Sequence, residues 1–223
     1  MHKQPVRAVV FDVGETLVDD TRFWGSWADW LNVPRHTLAV LVGSVTAQGR
    51  NNADALTLVK SGFNLAAERA AREAAGHGEL ITEADLYPDS RPALSALQQR
   101  GKWVGVAGNQ TKKAGDLLRA LKLPVDAVAT SGEWGVAKPD AEFFERVCAW
   151  SGFPADEIAY VGDHRDNDII PARAAGLRPA HIRRGGWGYL HADQDDLRAA
   201  AEWHVDSLTE LVSALAPTPR SSS

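Results

Sequence analysis

A three-layer α/β/α fold around a parallel sheet, carrying one all-helical insertion, is the architecture this sequence predicts. Three observations point to it. An apolar run near the amino terminus, 6–11, ends abruptly in a carboxylate and a glycine, Asp12 and Gly14. Further short apolar runs at 103–107, 126–130, 158–161 and 179–182 alternate with helix-like patterns at 92–100, 112–121, 141–150 and 169–175. Strands alternating with helices build a parallel sheet covered on both faces, with right-handed crossovers. The alternation breaks once, between Asp20 and about Asp85, where no convincing strand occurs.

In the first run Ala8, Val9, Val10 and Phe11 are consecutive and apolar, which suits a strand buried on both faces. Ligands of open parallel sheets bind in the crevice beyond the strands' carboxyl ends, so Asp12 is aimed at a candidate active site. The interruption reads as helices at 21–31, 35–47, 53–59 and 65–75, with breaks supplied by Pro34, Gly49, Gly62 and Gly76. Residues 17–21 and 86–89 connect it to the rest. The expected domains are therefore an α/β core, 1–19 with 86–215, and a helical cap, 20–85. An insertion at that point sits over the strand ends, where it can act as a lid.

Trp24, Trp27 and Trp30 recur every three residues in the first cap helix, beside Phe23. That spacing suits packing within the cap, and alternatively an aromatic wall over a substrate; Trp134, shortly before Lys138, poses the same choice. Arg183 and Arg184 lead into Gly185-Gly186-Trp187-Gly188, expected to be a mobile loop on the active edge; the arginines read as solvated, with steering of an anionic substrate as the alternative. The tail 216–223, with Pro217, Pro219 and three serines, is expected to be disordered.

Composition narrows the function classes. The 223 residues are 44% hydrophobic and 24% charged, ordinary for a globular protein of one domain with an insertion. A net charge of -5 offers no basic footprint, so nucleic acid is not an expected partner. No apolar run approaches the ~20 residues that span a bilayer, so no membrane association is expected. The amino terminus runs straight into the first strand without the pattern of a signal peptide. Cys148 stands alone, which leaves no internal disulfide and no cysteine metal cluster. The expected location is the cytoplasm.

The later strand ends also deliver polar residues. Gly108, Asn109, Gln110 and Thr111 follow 103–107, and Lys138-Pro139-Asp140 follows 126–130. Gly162, Asp163, His164, Arg165, Asp166, Asn167 and Asp168 follow 158–161. Each alone is commonplace. In this order, at successive strand ends, they converge an aspartate, an amide, a lysine and an acidic loop on one sheet edge.

This set resembles the haloacid dehalogenase superfamily over nearly the whole chain. Asp12 and Thr16 match its first motif, Asn109 part of the second, Lys138-Pro139 the third, and Gly162-Asp163 with Asp168 the fourth. The resemblance implies a Rossmann-like core with a cap and a hydrolase acting on a small, phosphorylated substrate. It makes Asp12 the nucleophile and Lys138 its catalytic partner. Mg2+ is the implied cofactor, held by Asp12, the Gly14 carbonyl, Asp163 and Asp168. Thr16, Gly108, Asn109, Gln110 and Lys138 become the substrate-binding residues. The physics is compatible: a carboxylate can form a covalent aspartyl intermediate, and three acids in one cleft repel by a few kcal/mol per pair until a cation relieves them.

Two positions depart from the family pattern. Gly14 stands where its phosphatases carry a proton-donating aspartate, so activated phosphates, acyl or aryl, are the expected substrates. Gly108 stands where a hydroxyl is expected, with Gln110 or Thr111 as substitutes. Glu15 and His164 are weighed as replacement acids, against a Glu15 side chain turned away from Asp12 and a hydrogen-bonded structural role for His164. Lys60, the single lysine in the cap, leaves room for phosphonate cleavage through a lid lysine. The alternatives are a binding or regulatory protein that has lost catalysis, and a carbon–halogen hydrolase.

Overall fold

The computed structural model describes residues 4–216, so the tail 217–223 lies outside the described residues. Among the described residues six strands form one sheet: β1 (Ala8–Phe11), β2 (Trp103–Gly108), β3 (Ala127–Thr130), β4 (Ile158–Gly162), β5 (Arg178–Ile182) and β6 (Trp203–Val205). Their order is β3-β2-β1-β4-β5-β6, and every neighbouring pair is parallel. The chain leaves β1 toward β2 and β3, then crosses back to β4 on the other side. The switch point therefore falls between β1 and β4, whose register pairs Phe11 with Val161. Every residue of β1 and of β4 is buried, as strands covered on both faces require.

Helices Ser90–Gln99, Lys112–Ala120, Ala141–Ser151, Ile170–Ala174, Asp195–Ala200 and Leu208–Ala214 accompany the sheet. Their starts are specified locally. Thr111 Oγ1 accepts from Ala114 N at 3.0 Å, and Asp140 Oδ1 from Glu142 N at 3.1 Å, which satisfies backbone donors that a helix leaves open. Phe143, Phe144 and Val147 bring one helix face onto Ala8, Val10, Ile158 and Tyr160 of the sheet.

The chain divides into two compact units, one formed up to Val18 and from Leu86 onward, the other Asp19–Asp85. The second holds helices Thr21–Trp30, Arg35–Ala47, Asp54–Val59 and Leu65–Ala74. Its own core joins Trp27, Ala28, Leu38, Val45, Ala55 and Leu56. Among the described residues no helix is long and apolar enough to cross a membrane.

The region after β5 differs from expectation. Gly185–His191 is a helix rather than an open loop, and Arg184 is 9% exposed rather than solvated. Its guanidinium donates to Thr16 O at 2.9 Å and pairs with Asp89. Strand β6 and the last helix were not anticipated. Three residues at a sheet edge carry too little periodicity to announce a strand.

Candidate active site

The site is built where β1 and β4 end. Asp12 N donates to Val161 O at 2.8 Å, which holds the first residue beyond β1 against β4. The Lys138 ammonium lies 2.6 Å from Asp12 Oδ1 and 2.5 Å from Asp168 Oδ1. It is almost wholly buried, 5.5 Å from the Tyr160 ring centroid and 5.9 Å from that of Phe143, positions where aromatic faces attract a cation. Tyr160 in turn donates its hydroxyl to Ala107 O at 2.8 Å. The Lys138 backbone is held as well: its N–H donates to Asn109 Oδ1 at 2.8 Å, and Asn109 Nδ2 donates to its carbonyl at 2.9 Å. The lysine is thereby fastened to the end of β2.

Asp163 ends β4. One carboxylate oxygen each from Asp12, Asp163 and Asp168 lie within 4.8 Å of one another. Burial pushes Asp163 well above the usual carboxylate range, and the charges of Asp168, Asp12 and Glu15 push it further. Asp12 is also raised by burial, against the opposing pull of Lys138. Burial works against the Lys138 charge, but the fields of Asp12 and Asp168 prevail and keep its pKa well above the ordinary value. Three carboxylates facing one ammonium leave surplus negative charge, and an all-oxygen acidic set fits a hard divalent cation.

Asp168 sits on a single π-helical turn, Arg165–Ile169, and its Oδ2 accepts from His164 N at 3.0 Å. His164 Nδ1 accepts from Asp166 N at 3.1 Å and Asn167 N at 3.3 Å. Its ring lies 4.2 Å from that of Trp187, and burial lowers its pKa to about 4. A neutral imidazole capping this turn positions the acidic loop; it is not poised to donate a proton.

The remaining site residues fall into distinct places. Gly108 ends β2 where an added Cβ would collide with Asp12 Oδ1, so the missing side chain makes room for the carboxylate as oriented. The Gln110 carbonyl accepts from Gly132 N at 3.0 Å and Ser131 Oγ at 3.2 Å, while Thr111 caps its helix. Gly14 lies in the turn after Asp12, bridged to Val18. Thr16 is fully buried, and among the described residues its hydroxyl has no hydrogen-bond partner. Asp12, Lys138, Asp163 and Asp168 thus come together, Asn109 joins through Lys138, and Thr16 stands behind the turn.

Within the helical unit, Lys60 pairs with Glu68, whose other oxygen accepts from Trp30 Nε1 at 2.8 Å. Trp27 packs against Phe63 and Trp24 against Phe23, so this aromatic series serves that unit's interior. Trp134 packs on Phe143 and Trp150 in the α/β unit. Sequence reasoning missed Tyr160 and took Arg184 as solvated. A phenol inside an otherwise apolar run was the one signal available for the first.

A model of haloacid dehalogenase-like hydrolases matches residues 6–176. The chain belongs to that family. Among curated haloacid dehalogenase-like relatives, the glyceraldehyde 3-phosphate phosphatase of Methanocaldococcus jannaschii is 34% identical over 129 residues, 56% of this chain and 54% of that protein. The phosphoserine phosphatase of Thermus thermophilus is 30% identical over 132 residues, 56% of this chain and 49% of that protein. The chain spans about half the length of these curated relatives. A crystal structure of a dehalogenase with an intermediate complex superposes with a TM-score of 0.70 at 21% identity, covering 96% of this chain and 98% of that one. A magnesium-bound putative hydrolase of the same family from Bacillus subtilis gives 0.69 at 19% identity, covering 96% and 100%. These two likenesses establish the fold.

Proposed function

We propose that this chain is a hydrolase that transfers a phosphoryl group from a small phosphorylated molecule to water, through a covalent phosphoaspartate on Asp12. The observation that carries the reading is the Lys138 ammonium 2.6 Å from Asp12 Oδ1, in a cluster that also gathers Asp163 and Asp168. The phosphatase names of the relatives support it. Asp12 attacks phosphorus, and water then cleaves the acyl phosphate and restores the carboxylate. Lys138 holds an oxygen of the transferring group and offsets its charge. Backbone donors around Gly108, Asn109 and Gln110, with the start of helix Lys112–Ala120, receive phosphate oxygens. Thr16 is fully buried behind the turn, and its place among the substrate-binding residues belongs to this proposal.

Asp12, the Gly14 carbonyl, Asp163 and Asp168 would hold Mg2+. The ion, when bound, offsets charge on the carboxylates and on the transferring group. Gly14 contributes no proton, so acyl and aryl phosphates, whose leaving groups need protonation least, turn over fastest. In this reading the helical unit is the cap.

Asp12→Asn is the decisive variant. With p-nitrophenyl phosphate and acetyl phosphate in magnesium buffer, turnover falls by ~10³ or more while the circular-dichroism melt is retained. Unchanged turnover removes Asp12 as nucleophile. Turnover undiminished by chelation removes magnesium from the reading.

A further inference from the structure

Resting on the phosphoryl-transfer reading above, we propose that the segment beyond β5 acts in turnover through Arg184 and Trp187. These two side chains hold the turns that carry Asp12 and Asp168 at the spacing the reaction needs across Lys138. In the sheet β5 neighbours β4 and not β1. A connection leaving it has only to turn and cover its own neighbours. This one reaches into both loops of the site.

Arg184 takes the first loop. One arm of its guanidinium donates to Thr16 O at 2.9 Å. Thr16 lies on the turn after Asp12, in which Val13 O accepts from Leu17 N and Val18 N, each at 2.9 Å. The other arm pairs with Asp89, whose Oδ2 also accepts from Leu208 N at 2.9 Å. The guanidinium carbon lies 4.2 Å from the Tyr87 ring centroid, and the Tyr87 hydroxyl donates to Glu15 Oε2 on the same turn. Glu15 has φ 52°, a left-handed conformation that persists where its surroundings impose it. A planar fork can hold two acceptors at a fixed angle, which a single ammonium does not reproduce.

Trp187 takes the second loop. It is 8% exposed, and its ring centroid lies 4.2 Å from that of His164 and 5.2 Å from that of His191. The His164 imidazole caps the turn of Asp168, and its backbone N–H donates to Asp168 Oδ2. An indole packed on that ring restricts its rotation and with it the turn. Two glycines let the segment come this close. Gly185 has φ 59°, and an added Cβ there would collide with Glu15 Cγ. At Gly188 an added Cβ would stand 2.9 Å from Ile182 O, so the helix folds back onto the end of β5.

The two turns so held supply the two carboxylates bonded to the Lys138 ammonium. Asp12 must keep that contact and also face phosphorus, and a misplacement of about 1 Å costs up to ~10² in rate. Arg184 and Trp187 touch the site through other residues, so they are positioning residues.

The test separates kcat from KM and from stability. Wild type, Arg184→Met, Trp187→Leu and Asp89→Asn are assayed with p-nitrophenyl phosphate, with kcat expressed per folded molecule by circular dichroism. Arg184→Met and Trp187→Leu each lower kcat by ~10-fold or more, while KM stays within about threefold. Asp89→Asn removes the ion pair and leaves the Thr16 contact, so its melting temperature falls while kcat stays within about twofold. Arg184→Lys and Trp187→Phe lose less, about threefold, and carry the test where the larger changes do not fold. An unchanged kcat throughout, a rise in KM alone, or a kcat loss in Asp89→Asn equal to that of Arg184→Met overturns the positioning role and leaves the phosphoryl-transfer reading standing. A wild type that turns over neither p-nitrophenyl phosphate nor acetyl phosphate overturns both.

Discussion

In the helical unit the buried Arg72 guanidinium donates to His77 O at 3.1 Å and Ser26 Oγ at 2.8 Å and lies 4.0 Å from the Trp27 ring centroid. In the α/β unit the buried Lys138 ammonium faces two carboxylates with a third close by. Both are cations removed from water, an expensive state unless partners compensate. Around Arg72 the hydrogen-bond acceptors are neutral, and burial lowers its pKa, with the Arg69 charge adding to that and Glu79 opposing it. Around Lys138 the partners overshoot, so negative charge is concentrated beyond what the chain itself balances. A cluster that pushes Asp163 and Asp12 upward while forcing Lys138 further into its charged form is a cost to folding, and it lies at the switch point, where sheets of this kind bind ligands. Buried charge alone does not nominate a site; surplus charge at the edge where ligands of open parallel sheets bind does.

The contrast is broken most directly at its centre. Lys138→Met leaves Asp12 and Asp168 buried without their cation, and breaking a buried pair from one side costs about 3–5 kcal/mol. Turnover of p-nitrophenyl phosphate per folded molecule falls by ~10³ with it. A variant that melts and turns over like wild type means the charge cluster is neither strained nor functional. In the other unit, Trp27→Ala removes the 2% exposed centre of the helical core and costs about 3–5 kcal/mol in urea unfolding. If stability holds while KM rises, Trp27 lines a substrate site after all.

Gly108→Ala sharpens the comparison without touching a charge. The new methyl displaces the Asp12 carboxylate from Lys138, and a misplacement of about 1 Å costs up to ~10² in kcat. The loss shows in kinetics, with the melting temperature nearly unchanged. Retained kcat means Asp12 has a second productive orientation. The smallest effect is a pH dependence. Burial lowers His181 from 6.5 to about 4, so the unfolded chain takes up a proton that the folded chain refuses. Stability from this group is fully present above about 6.5 and is lost as pH falls toward 4. Thermal melts across that window fall more steeply for wild type than for His181→Gln; equal slopes remove His181 as the cause.

The four charged residues of the cluster were legible because of where they stand in the chain. A carboxylate straight after Ala8, Val9, Val10 and Phe11 has nowhere to lie but the sheet's edge, and Asp163 repeats the arrangement after β4. Which groups hold which was not legible. Asn109 reads as a phosphate-binding position, yet its amide clasps the Lys138 backbone, a contact across 29 residues set by how β2 and the loop after β3 meet. The meeting of Glu15 with Tyr87 depends on one left-handed residue and on where the chain re-enters the α/β unit, and neither has a local signature. Arg184 beside three glycines reads as surface, because only tertiary packing brings it to Thr16 and Asp89.

Gly108 and Gly162 have a shared consequence for descent. At each, the smallest possible side chain would strike an acid, Asp12 at the first and Asp168 at the second. Neither glycine can drift on its own, since the replacement must arrive together with a new rotamer, or a new residue, at its partner. Lineages leading from this chain to one with a hydroxyl at 108 therefore have to cross an intermediate whose acid is out of place, or move both positions at once.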